Sequence, residues 1–169
     1  EVDAIGRFLS LRPSARWVLL GHHAAQFIQQ LQAAWNQAVR QEVRQSMVAR
    51  SIDAEFLRYL GGTHHIAEAF RRTGVKSGEG QGWIVHLDSA AKADEVHAQP
   101  TPAGKLASVA EESALIQSLG WAVNGNDITP SIEGMKRLGI NTDDWSKGRE
   151  EEACIAHVLM ADDQSSSHR

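Results

Sequence analysis

Apolar residues recur at helical spacing along much of this chain, and short runs of consecutive apolar residues lie between those stretches. The first stretch predicts a helix that Pro13 closes, because proline cannot continue a helix. The second, from His23 onward, predicts a long amphipathic helix with a glutamine-rich outer face. The apolar positions of the first stretch are Val2, Ile5, Phe8 and Leu9, and those of the second are Phe27, Ile28, Leu31, Trp35, Ala38 and Val39.

Three short apolar runs predict β-strands. They are ARWVLL, which ends at Gly21, AEFLRYLGG, which contains the polar Arg58, and GWIVHLD. The residues between the second and third runs, from Gly61 to Val75, predict a helix. The polar turn SGEGQGW then leads from that helix into a strand, whereas a dinucleotide-binding loop must lead from a strand into a helix.

The second half of the chain predicts a loop followed by helices. Residues 89–105 are polar, alanine-rich and contain two prolines, so we expect a mobile loop there. A helical stripe follows at Leu106, Val109, Ala110, Ile116 and Leu119. Thr129 as N-cap and Pro130 at the first helical position predict a short helix that stops before Gly139. A last helix is predicted from about Asp143 to Met160.

Together these elements predict an α/β fold, because helices alternate with a few strands and none of the strands forms a clean hairpin. We expect one domain over residues 1–169, with a central mixed β-sheet of a few strands covered by helices. The second helix and the C-terminal helix should be its most prominent helices. A chain of 169 residues that is 42% hydrophobic can bury the core this requires.

The charge is uneven along the chain. Residues 1–76 hold ten Lys and Arg against six Asp and Glu, while residues 77–169 hold seven against fifteen. A basic first half could meet a polyanion, although a solvated surface with a chance asymmetry is an equally good explanation. No stretch approaches the roughly 18 apolar residues of a membrane span, so we expect a cytoplasmic protein, also nuclear if the source is eukaryotic.

The histidine pairs His22-His23 and His64-His65 raise the question of a metal site. Neighbouring positions on a helix point about 100° apart, so adjacent histidines do not chelate one ion as residues three or four apart do. The chain also has no H-E-x-x-H motif and a single cysteine, Cys154. We therefore expect no metal, no cofactor and no enzyme activity, and a metal-dependent enzyme built on these histidines is the least favoured hypothesis.

The predicted helix after Gly61-Gly62 has a polar and an apolar half. Ile66 and Phe70 fall on the half that should pack inward. The opposite half carries His64, His65, Glu68, Arg71 and Arg72. Because the glycine pair leads into this helix, its free N–H groups could receive a phosphate, although an ordinary solvated helix has the same composition.

The terminal helix, within REEEACIAHVLMADD, is apolar on most sides. Such a helix near the end of a chain is either buried in its own core or shared with a partner protein. One side carries Cys154, Ile155, Val158 and Leu159. Burial in the core accounts for one apolar face of this helix, and the apolar residues on its other sides favour contact with a partner protein.

Three segments of the chain carry a family resemblance. They are AAQFIQQLQAAWNQAVR, AEFLRYLGGTHHIAEAFRRTGVKSGEGQGWIVHLD and PSIEGMKRLGINTDDWSKGREEEACIAHVLMAD. The most specific positions are Ile66, Ala69, Phe70, Gly74 and Val75. In these segments the chain resembles the small non-enzymatic subunit of the KEOPS (EKC) complex, the PRPK-binding protein family. Archaeal members often carry Arg-Gln where this chain has His64-His65.

The resemblance implies two partners. Members of the family bind the amino lobe of the complex's small atypical kinase/ATPase, and they bind tRNA, chiefly through its 3′ CCA end. They thereby support threonylcarbamoylation of the adenosine beside the anticodon. A protein-only regulator of the kinase, without useful RNA affinity, is the alternative function.

The resemblance also directs attention to two sets of residues. The expected tRNA contacts are Arg50, Gly62, Thr63, His64, His65, Arg71, Arg72 and Lys76. Among them, the cations would contact phosphates and the histidines would stack on unpaired bases. The expected kinase contacts are Cys154, Ile155, Val158 and Leu159.

Overall fold

The computed structural model of the protein describes residues 3–90 and 109–163. In chain order the elements are α1 (Ala4–Leu11), β1 (Trp17–Gly21), a short 3₁₀ helix (His22–Ala24), α2 (Ile28–Val43), α3 (Ile52–Leu60), α4 (Ile66–Thr73), β2 (Gly82–His86), α5 (Val109–Leu119), α6 (Ile132–Arg137) and α7 (Glu150–Leu159). None of these helices has both the length and the apolar character needed to cross a bilayer. The α/β class predicted from the sequence is confirmed.

The two strands form the middle layer of the structure. They pair antiparallel, with Trp17 opposite His86 and Gly21 opposite Gly82. Because successive side chains of a strand point to opposite faces, each face of the sheet enters a different core. The larger core includes Val18, Leu20 and Leu87 with α2, α3 and α7, and the smaller one includes Trp17 with Phe8, Leu115 and Leu119. The expectation of a mixed sheet is wrong for the described residues, whose sheet is this antiparallel pair.

The predicted strand AEFLRYLGG is instead the C-terminal part of α3. Every side chain of this helix except that of Asp53 is buried, so it shows neither a polar face nor a clear period. Its polar Arg58 lies one helical turn from Glu55, and Arg58 Nε donates to Glu55 Oε1 at 2.6 Å. In a helix, residues at i and i+3 are neighbours and can form this pair, whereas a strand would place the two side chains on opposite faces.

Helix α4 confirms the predicted helix but corrects two of its details. It begins at Ile66, and the pair Gly61-Gly62 terminates α3 instead of leading into α4, so the free N–H groups at the start of α4 do not follow the glycine pair directly. Its inward residues are Ala69 and Thr73, while Phe70 is exposed.

Other boundaries also differ from the predictions. Ser131 caps α6 by accepting a hydrogen bond from the Gly134 N–H, so the expected cap at Thr129 with Pro130 in the first turn is wrong. Helix α2 begins at Ile28 and α7 at Glu150, each later than expected. Leu115 and Leu119 are the buried residues of α5, while the predicted stripe position Val109 is exposed. Leu106 and most of the predicted loop, residues 91–105, lie outside the described residues.

Candidate functional site

The outer surface of α4 combines a carboxylate, two arginines and an exposed aromatic ring. Arg71 Nε donates to Glu68 Oε2 at 2.8 Å, and Arg72 Nε donates to Glu68 Oε1 at 2.8 Å. The hydrogen bond from Arg71, followed by that from Arg72, lowers the pKa of Glu68 to about 2. One carboxylate thus serves two guanidinium groups, so this cluster keeps a net positive charge.

Two of the predicted RNA-binding residues are buried, and a third lies away from α4. Thr63 is buried, and its hydroxyl accepts a hydrogen bond from the His65 N–H at 3.2 Å. Gly62 is buried against the His157 ring. Arg50 precedes α3, whose nine residues span about 14 Å, so Arg50 lies at the opposite end of that helix from Gly62.

The remaining predicted RNA-binding residues lie on or near α4. His65 is exposed at the start of the helix, and its ring meets the half-buried ring of His64 edge-on, with 6.1 Å between ring centroids. Arg71 is exposed, and Lys76 is exposed in the turn that follows the helix. His64 and His65 therefore lie at the start of α4, Arg71 near its end and Lys76 just beyond it, whereas Arg50 lies at the far end of α3.

Helix α7 divides the predicted kinase-binding residues between core and surface. Cys154 and Val158 are fully buried in the larger core, so neither side chain is available to a partner. Burial also raises the pKa of the Cys154 thiol to about 12. Ile155 is partly exposed, and Leu159 is 53% exposed. Met160, which follows the helix, extends this exposed apolar surface.

The backbone carbonyl of Gly61 joins α4 to α7. Arg72 Nη1 donates to this oxygen at 2.8 Å, and His157 Nε2 donates to it at 3.0 Å. His157 Nε2 also lies 2.8 Å from the carbonyl oxygen of Leu138, at the end of α6. Arg72 also packs against Gly139, where a Cβ atom would lie 2.8 Å from its guanidinium carbon. Arg72 therefore holds three helices together and is not a free cation.

The imidazole of His157 should make stability depend on pH. Burial lowers its pKa from 6.5 to about 4. Between those two pH values the unfolded chain binds a proton that the folded chain does not, so the free energy of unfolding falls as pH decreases. We expect this residue to account for a loss of about 3 kcal/mol between pH 7 and pH 4.

The variant His157→Gln tests this expectation, since a neutral amide can donate to the same carbonyls without titrating. Urea denaturation at a series of pH values should show a shallower dependence for the variant between pH 6.5 and 4. Parallel curves for the two proteins would contradict the assignment of this slope to His157.

A fully buried ion pair lies on α3 and was not predicted from the sequence. Arg58 donates to Glu55 and, through Nη1, to Asp162 Oδ1 at 2.7 Å. The Tyr59 hydroxyl donates to Asp162 Oδ2 at 2.8 Å, and burial together with this bond raises the pKa of Tyr59 to about 12. Glu55 also accepts from the Val48 N–H at 2.8 Å. This network fixes the chain beyond α7 against α3.

A groove of about 420 Å³ lies between α2 and the end of β2, and it was also not predicted from the sequence. Trp35 forms part of its wall and donates from Nε1 to the Asp88 carbonyl at 2.8 Å. His86 and Asp88 supply polar side chains to it, with 3.1 Å between Nδ1 and Oδ1. Within residues 3–90 and 109–163, no three His, Cys, Asp or Glu side chains are close enough to hold a metal ion.

A comparison with known protein families identifies the family of this chain. A family described as kinase binding protein CGI-121 matches residues 25–143. The chain belongs to this family. It is the KEOPS subunit family that the three sequence segments resemble, so that identification is confirmed. The match to the CGI-121 family covers α2 to α6 and β2 and ends before α7. No curated protein and no solved structure matches the chain.

Proposed function

We propose that this chain is a non-catalytic subunit of the KEOPS complex. In this role it binds the small kinase/ATPase of the complex and also tRNA, and so supports the threonylcarbamoyladenosine modification. Membership of the kinase-binding CGI-121 family is the observation that carries the proposal. The assignment to the KEOPS complex and the binding of tRNA are supported by the sequence resemblance.

The exposed end of α7 is the surface that we assign to the kinase. Leu159 and Met160 are both about half exposed, and Ile155 lies one turn before Leu159. Large apolar side chains that lie together on a surface are typical of protein interfaces. The buried faces of Cys154 and Val158 anchor the helix, and the bonds of Asp162 fix the chain just after it. A partner would therefore meet a surface that is already ordered.

Replacing Leu159 with glutamate should abolish co-purification with the kinase, because a charge would be buried without a partner at the interface. The matched control is Leu9→Glu on α1, since Leu9 is 48% exposed and lies on a different part of the surface. Both variants should keep the wild-type circular dichroism spectrum. If both variants lose the kinase equally, or if both retain it, the assignment of α7 to the kinase interface is contradicted.

The outer surface of α4 is the region that we assign to tRNA. Arg71 is exposed, and the ammonium group of Lys76 makes no ion pair with a carboxylate in the described part of the chain. Contacts of such cations with phosphates weaken as salt is added, because binding releases condensed counterions.

Replacing Arg71 with alanine should weaken tRNA binding several-fold at low salt and reduce its salt dependence by about one phosphate contact. Arg149→Ala is the matched control, because Arg149 is likewise exposed and paired with a glutamate three residues away on α7. Gel shifts at several salt concentrations would measure both variants. Equal affinities for the two variants and the wild type would move the RNA site away from Arg71.

The wild-type protein should also prefer intact tRNA to tRNA that lacks the terminal CCA nucleotides. If it binds the kinase but neither RNA, the protein-only regulator is the correct function.

A further inference from the structure

Phe70 is an exposed aromatic residue on a helix whose inward face is made of smaller side chains. Its side chain is 48% exposed, whereas Ala69 and Thr73 are fully buried. The Cβ position of Gly61 lies 3.3 Å from the Cα atom of Ala69, so α3 and α4 approach too closely to admit a phenyl ring between them. Packing of the small residues therefore turns Phe70 outward.

Phe70 shares one exposed face of α4 with a small residue and a cation. Ala67, Phe70 and Arg71 occupy positions i, i+3 and i+4, which are neighbours on one face of a helix. Helical side chains lean toward the N-terminus, so Phe70 and Arg71 both extend over the turn that contains Ala67. Ala67 is exposed and too small to cover the ring, and the Arg71 guanidinium keeps N–H donors beyond those that it gives to Glu68 through Nε and Nη2.

The charged residues around Phe70 favour a polyanion as the partner of this face. Glu68 is shared by Arg71 and Arg72, which leaves one positive charge in excess, and Lys76 follows the helix. Within α4, Phe70 is the one large apolar residue that is exposed, since Ile66 is partly buried. A protein interface usually needs several apolar side chains together, whereas a single ring next to a cation suits a base with its phosphate.

We propose that the Phe70 ring stacks on an unpaired base at the 3′ end of the bound RNA, with Arg71 contacting the adjacent phosphate. This inference rests on the proposed tRNA-binding function and adds a base-contacting residue to it. Base stacking on an aromatic side chain does not depend on the identity of the base. Phe70 would therefore hold the end of the RNA without reading its sequence.

The test compares Phe70→Leu, which keeps an apolar side chain, with Phe70→Trp, which keeps an aromatic one. Gel shifts would use intact tRNA and the same tRNA without its three terminal nucleotides. The leucine variant should bind intact tRNA about tenfold more weakly than the wild type. The tryptophan variant should bind it within about twofold of the wild type. On the shortened tRNA all three proteins should bind equally.

The outcomes separate this inference from the function on which it rests. If the wild type binds neither RNA, the tRNA function fails. If the wild type binds and Phe70→Leu binds equally well, the function stands and the stacking role is overturned. Equal weakening on both RNAs would also overturn it, because the ring would then contact another part of the tRNA. Loss of kinase co-purification with unchanged RNA binding would assign Phe70 to the protein partner.

Discussion

Replacing Arg58 with methionine is expected to lower the free energy of unfolding by about 3–5 kcal/mol. The side chains of Arg58 and Glu55 are both fully buried, and Nε of the arginine lies 2.6 Å from Oε1 of the glutamate. Removing the cation leaves the Glu55 carboxylate inside the core, where the Val48 N–H is its one remaining donor among the described residues. It also removes the hydrogen bond from Arg58 Nη1 to Asp162.

Denaturation by urea, followed by circular dichroism, would measure this loss. Arg71→Met is the matched control, because Arg71 also pairs with a glutamate three residues earlier, but on an exposed helix face. That variant should unfold at the same urea concentration as the wild type. In the double variant Glu55→Gln with Arg58→Met the buried charge is absent, so part of the stability should return. A small effect of Arg58→Met alone would show that water reaches Glu55.

Replacing Gly62 with alanine is expected to cost about 2–5 kcal/mol. Two effects add at this position. The backbone has a φ of +61°, which is unfavourable for residues other than glycine, and a Cβ atom would lie 2.4 Å from the His157 ring. The ring cannot move away freely, because its Nε2 donates to two carbonyl oxygens.

Gly120→Ala separates the two effects. Gly120 has a φ of +69°, and nothing lies within 4 Å of its Cβ position, so this variant should show the backbone cost of about 1–2 kcal/mol alone. In a His157→Ala background, Gly62→Ala should cost no more than Gly120→Ala does in the wild type. Equal costs for the two glycine variants in the wild-type background would mean that the ring contact contributes nothing.

Local patterns were enough to predict β1, β2, α2 and α4 from the sequence. Each has a characteristic period or a run of apolar residues that its own segment supplies. The sequence of α3 predicts a strand because the helix is buried on nearly all sides, so no polar face marks its helical period. The helical pattern predicts that Phe70 packs inward, which is wrong. The close approach of Gly61 to Ala69 leaves room for small side chains only between α3 and α4, so the Phe70 ring lies outside.

Contacts between distant parts of the chain could not be predicted in this way. Arg58 and Asp162 are 104 residues apart, and nothing in either segment indicates the other. The same holds for the Gly61 carbonyl, which binds both Arg72 and His157. Because of these contacts, Arg72 is held inside the fold, and fewer cations of α4 are free to bind RNA than its sequence contains.

The burial of Cys154 has a practical consequence for experiments on this protein. It is the only cysteine of the chain, and its thiol is inaccessible and protonated near neutral pH. Maleimide reagents react with accessible thiolates, so the folded protein should label very slowly. A cysteine introduced at Leu9 or Leu159 would then carry a fluorophore at that one position, without prior removal of Cys154. Each such variant could thus report on the approach of a partner to the surface around its labelled position.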